Sequence, residues 1–144
     1  MIRIICVGKI KEAFYRDAIS EYLKRLQKYH KVIIEEVVDS DINNEGKLIM
    51  DKIRDKDYVI TLEIDGIEMD SIAFSSFLDG LFVRKSNIVF VIGGSNGLSA
   101  VVKNRADDRI SFSKLTFPHQ LFRVILLEQI YRCFKIINNE TYHK

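Results

Sequence analysis

The sequence is poor in the residues that mark linkers, disulfide frameworks and membrane anchors. Its 144 residues include one proline, two cysteines and no tryptophan, and no apolar run approaches the ~20 residues that span a bilayer. The N-terminal stretch is too short for a signal peptide and has no small-residue cleavage site. We therefore expect a cytoplasmic protein, and the absence of repeats and linkers predicts a single domain over residues 1–144.

The two cysteines, Cys6 and Cys133, both lie among apolar residues. Isolated thiols in such surroundings are typical of buried free cysteines. The sequence has no CxxC motif and no Cys/His cluster, so we expect no metal.

The net charge of +2 conceals an uneven distribution along the chain. Residues 1–34 carry a net charge of +5, residues 35–70 carry −8 and residues 71–144 carry +5. Folding can bring the two basic parts together into a face for a polyanion. A mixed, solvated surface is an equally good interpretation of the charges alone.

Short apolar segments alternate with segments of helical periodicity along the whole chain. The predicted strands are Ile2–Gly8, Lys31–Val38, Tyr58–Ile64, Ile88–Gly94 and Arg109–Ser113. The predicted helices are Glu12–Tyr29, Leu48–Arg54, Ser71–Phe82, Ala100–Ala106 and His119–Ile137. A polar loop is expected over Asp39–Lys47, a turn at Asp65–Gly66, and helix caps at Asp70 or Ser71 and at Ser99. Because several strands are apolar on both faces, the pattern predicts an α/β fold: a mainly parallel sheet with helices on both faces.

The last predicted helix has more apolar residues than one sheet face can cover. Twelve of them, between Leu121 and Ile137, wrap most of its circumference, whereas a stripe about 100° wide is enough for a helix that rests on a sheet. A two-fold dimer would cover the surplus. Deeper burial within one chain is the alternative.

Three of the seven glycines fall within the five residues from Gly93 to Gly97, directly after the fourth predicted strand. Ligands bind beyond the carboxyl ends of strands in open parallel sheets, and glycine lets backbone approach a ligand closely. A tight strand-to-helix turn explains the glycines nearly as well. The sequence has neither a P-loop nor a GxGxxG after its first strand, which argues against ATP and NAD.

A second loop, Ser111–Pro118, also leads from a strand into a helix. Ser113 and Thr116 offer hydroxyl groups there, and Phe112 and Phe117 offer apolar walls for a flat ring. If the two loops are neighbours, they form a small-ligand pocket. Core packing is the alternative for each phenylalanine.

The segments "VIGGSNGL", "SFSKLTFPHQLFRVILLEQIYR" and the terminal "YHK", in this order and spacing, resemble the RlmH family of SPOUT-superfamily methyltransferases. "IICVGKIKEAF" and "VITLEI" fit as well, so the resemblance covers nearly the whole chain. It implies methylation of N3 of pseudouridine 1915 in helix 69 of 23S ribosomal RNA, with S-adenosylmethionine as the donor and no metal. RNA within the 70S ribosome, and neither DNA nor a membrane, is the expected partner.

The resemblance also implies a C-terminal trefoil knot, whose crossings form the donor pocket, and a homodimer. Carried over by motif, the donor contacts are Leu62, Gly93 and the run from Phe112 through Ser113, Lys114, Leu115 and Thr116 to Phe117. One departure is that this chain is shorter than most relatives, apparently within Asp39–Lys56. The shortening affects the expected second helix and RNA contacts more than the donor pocket.

The substrate side is less defined by the resemblance. The proton on N3 must leave, and His143 in the tail and His119 at a helix start are the candidate bases. Arg123 is a candidate to hold a phosphate or an oxyanion, and Tyr142 to stack on or hydrogen-bond the target base. A frayed C-terminus is the alternative for the tail, and a structural role at the helix start is the alternative for His119.

RNA recognition should use phosphate contacts from lysine and arginine together with stacking of an unpaired base. The available cations are Lys9, Lys11, Arg16, Lys103, Arg105, Arg109 and Lys114. Two other functions remain open: a non-catalytic RNA-binding module that keeps the fold, and a nucleotide-binding regulatory α/β domain.

Overall fold

Five parallel strands form one sheet in the computed structural model, which describes all 144 residues. The strands are β1 (Ile2–Val7), β2 (Val32–Val37), β3 (Tyr58–Glu68), β4 (Ile88–Ile92) and β5 (Asp108–Ser111). Their order across the sheet is β2-β1-β4-β3-β5, and every neighbouring pair is parallel. The predicted α/β class with a parallel sheet is therefore confirmed.

Five helices cover the two faces of the sheet. They are α1 (Ala13–Leu26), α2 (Ile42–Lys52), α3 (Ser71–Arg84), α4 (Ala100–Arg105) and α5 (His119–Ile137). Helices α1, α3 and α5 share a core with Ile4, Ile60 and Phe90, whereas α2 and α4 share one with Ile5 and Val59. The alternation of side chains along each strand thus divides the interior into two apolar layers.

The second part of the predicted loop Asp39–Lys47 is helical, because it forms the first turns of α2. Helix α2 begins at Ile42, and the Asp41 carboxylate accepts a hydrogen bond from the Asn44 N–H at 2.9 Å. Asparagine and glycine have low helix propensity, which made the loop the natural prediction. A Cβ on Gly46 would lie 2.2 Å from the Ser99 Oγ, so the glycine is there because α2 and the start of α4 approach closely.

The turn predicted at Asp65–Gly66 is a bulge inside β3. Leu62 and Ile67 both pair with Ile110 of β5, so the four residues between them are looped out of the ladder. A Cβ on Gly66 would lie 2.6 Å from the Ile110 backbone. Glycine at this position therefore permits β3 to rejoin β5 instead of reversing direction.

Other expectations differ from the structure in smaller ways. Asp70 caps α3 through a 2.8 Å bond from the Ala73 N–H, as expected, but Ser99 makes no capping bond to α4. Strands β4 and β5 end at Ile92 and Ser111, two residues before their predicted ends. Helix α5 has its predicted bounds, His119–Ile137.

Cys6 and Cys133 are buried free thiols, as predicted. Burial raises the pKa of each to about 12, so both are protonated at neutral pH. No helix of the protein has the length and apolarity that crossing a membrane requires.

Candidate donor-binding site

A cavity of about 640 Å³ opens at the carboxyl ends of β3, β4 and β5. Three segments form its walls: the bulge of β3, the glycine loop Gly93–Gly97 after β4, and the loop from Ser111 to Pro118 that leads into α5. Its volume falls within the ordinary range of small-ligand sites. The two loops that the sequence singled out are neighbours around one cavity.

The glycine loop closes on itself through backbone contacts. The Gly97 N–H donates to the Gly94 carbonyl at 3.0 Å, and Gly97 has a φ of +79°. A Cβ on Gly93 would lie 2.8 Å from the carbonyl carbon and oxygen of Gly97. Two of these glycines are therefore required by the tight turn itself, which leaves backbone rather than side chains facing the cavity.

The loop after β5 is held by hydrogen bonds of its own serines. The Ser111 hydroxyl donates to the Ser113 carbonyl at 3.1 Å, and the Ser113 hydroxyl accepts from the Leu115 N–H at 2.9 Å. Phe112 packs on Phe122 of α5 with ring centroids 5.3 Å apart. These contacts fix the loop and set aromatic rings beside its backbone polar groups.

Acidic side chains from the bulge add charge to the wall. Glu63 is bonded by the Thr61 hydroxyl at 2.7 Å and lies 3.5 Å from both Lys103 Nζ and Arg109 Nε. Asp65 also lines the cavity. Because Glu63 is already paired with two cations, Asp65 is the carboxylate of this wall that is free to face a ligand with a positive group.

Most of the predicted donor contacts lie on this cavity. Seven of the eight line it: Leu62, Gly93, Phe112, Ser113, Leu115, Thr116 and Phe117. Lys114 does not, and lies on a shallower neighbouring surface with Glu68 and Met69. We did not expect Glu63 or Asp65 at this site and expected Lys103 to contact RNA phosphates, although two carboxylates at the end of a buried strand were a usable signal.

The predicted substrate-side residues are spread over the molecule. His119 lines the cavity at the start of α5. Tyr142 and His143 lie at the other end of that helix, where the Tyr142 ring packs on Tyr131 at 5.0 Å and His143 Nδ1 lies 3.1 Å from Arg132 Nη1. At 1.5 Å per helical residue, Arg132 is about 20 Å from His119. One chain therefore does not bring its own tail to its cavity.

Arg123 occupies a different place from the one expected for a phosphate contact. Its guanidinium is 2% exposed, donates to Glu36 Oε2 at 2.6 Å, and donates to the carbonyls of Val7 and Gly8 at 3.2 and 2.7 Å. These bonds tie the start of α5 to the end of β1. The expectation arose because an arginine near a helix start is usually exposed, and only the tertiary fold reveals its carbonyl partners.

Comparison with known proteins matches the sequence and the fold to one class. The family model described as "Predicted SPOUT methyltransferase" matches residues 1–143. A probable methylase family protein from Haemophilus influenzae has the same fold, with a TM-score of 0.58 at 10% identity, over 99% of this chain and 70% of that chain. The chain belongs to the SPOUT methyltransferase family.

Its curated relatives narrow the class further. The chain is 48% identical to "Ribosomal RNA large subunit methyltransferase H 1" of Clostridium perfringens, over 99% of both chains. It is 45% identical, over the full length of both, to "Ribosomal RNA large subunit methyltransferase H" of Caldicellulosiruptor saccharolyticus. The resemblance to the RlmH family is thus confirmed, and that family uses S-adenosylmethionine as its methyl donor.

The residues present fit such a donor. Leu62, Phe112 and Phe117 can enclose an adenine ring, and the unpaired carboxylate of Asp65 suits a sulfonium cation. The glycine loop and the Ser113–Phe117 segment offer backbone polar groups for the nucleoside and amino-acid parts. No group of three or more His, Cys, Asp or Glu side chains is arranged to hold a metal ion.

Proposed function

We propose that this chain methylates N3 of pseudouridine 1915 in helix 69 of 23S ribosomal RNA, on assembled 70S ribosomes in the cytoplasm. The observation that carries the proposal is the cavity between the glycine loop and the Ser111–Pro118 loop, in a chain whose relatives are named for large-subunit ribosomal RNA methylation. The nucleotide and the 70S context follow from the family resemblance.

The donor, when bound, supplies a methyl group that is attacked in line by the nucleophilic nitrogen. The chain contributes mainly position: the aromatic and leucine walls orient the nucleoside, and the fixed backbone of the two loops limits how the donor can turn. Glu63 is held by Lys103 and Arg109, so its carboxylate stays in place when the cavity fills. Loss of the target's N3 proton then requires an acceptor at the cavity mouth.

His119 is the proton acceptor that one chain can itself supply, because it lines the cavity. His143 is the second candidate, and it belongs to a tail about 20 Å away along α5. We propose that the Tyr142–His143 tail reaches the cavity of a second copy. Arg123 then acts by positioning: it holds the end of β1 against the helix that carries His119.

A homodimer also accounts for the outer face of α5. Six of its apolar residues are only half-buried in the single chain: Leu121, Phe122, Val124, Ile125, Ile136 and Ile137. Seven other α5 residues are buried by the sheet, α1 and α3. Burial within one chain therefore accounts for part of the apolar surface of α5, and a dimer would account for the rest. The half-buried face is the part that a second copy would cover.

The experiment is transfer of labelled methyl from S-adenosylmethionine to purified ribosomes of a strain lacking this activity. Intact 70S particles, isolated 50S subunits and transfer RNA are compared as acceptors. We expect label in 23S RNA, with 70S the best acceptor. Donor binding without label in any RNA would favour a binding module, and salt-independent binding of a nucleotide alone would favour a regulatory domain.

A further inference from the structure

The loop between β1 and α1, residues 8–12, carries two exposed lysines beside the donor cavity. Lys9 and Lys11 make no ion pair, unlike Lys103 and Arg109, which both pair with the cavity residue Glu63. This loop is not one of the three segments that form the walls of the cavity.

Two arginines hold this loop in one conformation. Arg123 donates to the Val7 and Gly8 carbonyls from the α5 side, at 3.2 and 2.7 Å. Arg16, on the first turn of α1, donates to the Ile10 and Lys11 carbonyls at 3.3 and 2.7 Å. Because the two arginines bind the carbonyls of this loop, the lysine side chains project from an ordered backbone, and an ordered backbone lowers the entropic cost of binding.

The loop is also adjacent to the cavity mouth. Arg123 follows the cavity residue Phe122 directly and lies one turn after His119, so its bond to Gly8 joins the loop to that wall. On the other side, a Cβ on Gly94 would lie 3.0 Å from Val7 Cγ1. The β1–α1 loop is therefore within reach of a polymer whose nucleotide enters the cavity.

The distribution of charge around the mouth favours this side for an anionic polymer. The acidic residues Asp39 and Asp41 lead into α2, which packs on the opposite face of the sheet from α1 and α5. Lys9 and Lys11 lead into α1, and the exposed Lys114 lies on the loop that leads into α5. The two unpaired lysines are thus the positive groups that this loop offers to an anionic polymer, and the acidic residues nearest them are Glu12 in the same loop and Asp39, whose Cβ would lie 4.0 Å from a Cβ on Gly8.

An aromatic ring completes the surface. Phe14, in the first turn of α1, is 65% exposed, with its ring 4.4 Å from the Tyr15 ring. An exposed ring three positions after Lys11 offers a stacking platform for an unpaired base, because each base presents a flat π-face.

We propose that Lys9, Lys11 and Phe14 bind the RNA strand that flanks the target nucleotide, the lysines on phosphates and the phenylalanine on an unpaired base. This inference rests on the proposed function and adds the residues that recognise its substrate. We call these three residues the loop surface.

The test compares two double variants with the same change in charge. Lys9→Ala/Lys11→Ala alters the loop surface, whereas Lys31→Ala/Lys56→Ala removes two exposed, unpaired lysines that precede β2 and β3, at the amino ends of the strands and so on the side of the sheet away from the cavity. We expect the first to raise the KM for ribosomes and to reduce the slope of log affinity against log salt by about 1.4, for two phosphate contacts on a single strand. The control pair should leave both values unchanged.

Phe14→Leu keeps an apolar side chain but removes the π-face. We expect about a tenfold loss of RNA affinity, with an unchanged dissociation constant for S-adenosylmethionine and an unchanged dimer in sedimentation. Equal effects of the two lysine pairs would overturn the inference, and so would weakened self-association of Phe14→Leu, which would assign the ring to the subunit contact. If the wild-type protein methylates no RNA, the proposed function itself fails, whereas methylation insensitive to these changes refutes only the loop surface.

Discussion

Gly93 and Gly80 show how differently single glycines are used in this chain. A Cβ on Gly93 would meet the Gly97 backbone at 2.8 Å, whereas a Cβ on Gly80, in the exposed part of α3, would have no atom within 4 Å. Replacement by alanine is therefore expected to have a different consequence at each of the two glycines. At Gly93 it displaces the cavity loop, and at Gly80 it only reduces the freedom of the unfolded chain.

We predict that Gly93→Ala weakens S-adenosylmethionine binding by at least about tenfold, or ~1.4 kcal/mol. Gly80→Ala should leave binding unchanged and stabilise the protein by about 0.5–1 kcal/mol, because alanine is the better helix former. Calorimetric titration and urea unfolding of both variants measure the two effects. Equal donor affinity in the two variants would contradict the role given to the glycine loop.

Glu45 is a buried carboxylate close to the same loop. It is 3% exposed, its Oε2 accepts from the Ser40 N–H at 2.9 Å, and its Oε1 has no partner. Burial raises the pKa of this carboxyl above its ordinary value. The unfolded chain therefore releases the proton at lower pH than the folded protein, and stability falls as pH rises through the interval above the ordinary glutamate pKa of about 4.3.

Glu45→Gln removes this ionisation while keeping an acceptor for the Ser40 N–H. We predict that its free energy of unfolding, relative to the wild-type value, increases as the pH rises from about 4 toward neutrality. Urea unfolding at a series of pH values measures the difference. At low pH, the difference in free energy of unfolding between the variant and the wild type reports the cost of the buried amide. A difference that stays constant with pH would contradict the raised pKa.

At the scale of single residues, most of the predicted donor contacts lie around one cavity, whereas the predicted substrate-side residues do not lie together. Gly93 and Phe112 were predictable because glycine and aromatic residues directly follow strands that end at one edge. Arg123 was not, because its partners are carbonyls of a strand more than a hundred positions away in the chain. The separation of the tail from the cavity follows from the length of α5, whose bounds were predicted, once the structure places His119 at the cavity.

At the scale of elements, the two misread segments are those where tertiary contact overrides local preference. Helix α2 contains Asn43, Asn44 and Gly46, yet its packing against α4 requires the glycine. The β3 bulge contains an Asp-Gly pair that usually signals a turn, yet it continues the strand and forms a cavity wall. The strongly apolar elements, β1, β4 and α5, were predictable because their patterns allow only one kind of burial.

The two helix starts around Gly46 differ in how they are capped. The Asp41 carboxylate bonds the Asn44 N–H at the start of α2, whereas the Ser99 hydroxyl at the start of α4 is buried without a partner. We predict that Asp41→Ala costs about 1 kcal/mol of stability. Ser99→Ala should cost nothing, since it removes an unsatisfied polar group. Denaturant unfolding of both variants gives the comparison, and a larger loss for Ser99→Ala would contradict these assignments.

At the scale of the whole molecule, the cavity and the tail lie at opposite ends of α5. If the tail takes part in catalysis, a second copy must deliver it. The parallel fold, the layers of helices and the length of α5 were predictable from the sequence, but only the complete fold shows that the cavity lies at the start of α5 and that the tail packs at its end.

Mixed dimers test this arrangement. One subunit ends after Asn139 and keeps its cavity, and the other carries Thr116→Arg, which places a cation in the cavity but leaves its tail intact. We predict that each variant alone is inactive and that the mixed dimer regains activity at one of its two cavities. Mixtures that stay inactive, with both variants folded and dimeric, would show that the tail does not act across subunits.

The most direct measurement is mass spectrometry of the helix 69 fragment from 70S ribosomes that have been incubated with the protein and S-adenosylmethionine. Our account predicts one added methyl group on N3 of pseudouridine 1915, absent without the donor and strongly reduced with Thr116→Arg. An unmodified fragment, or a methyl group on another nucleotide, from a folded protein that binds the donor, would contradict it.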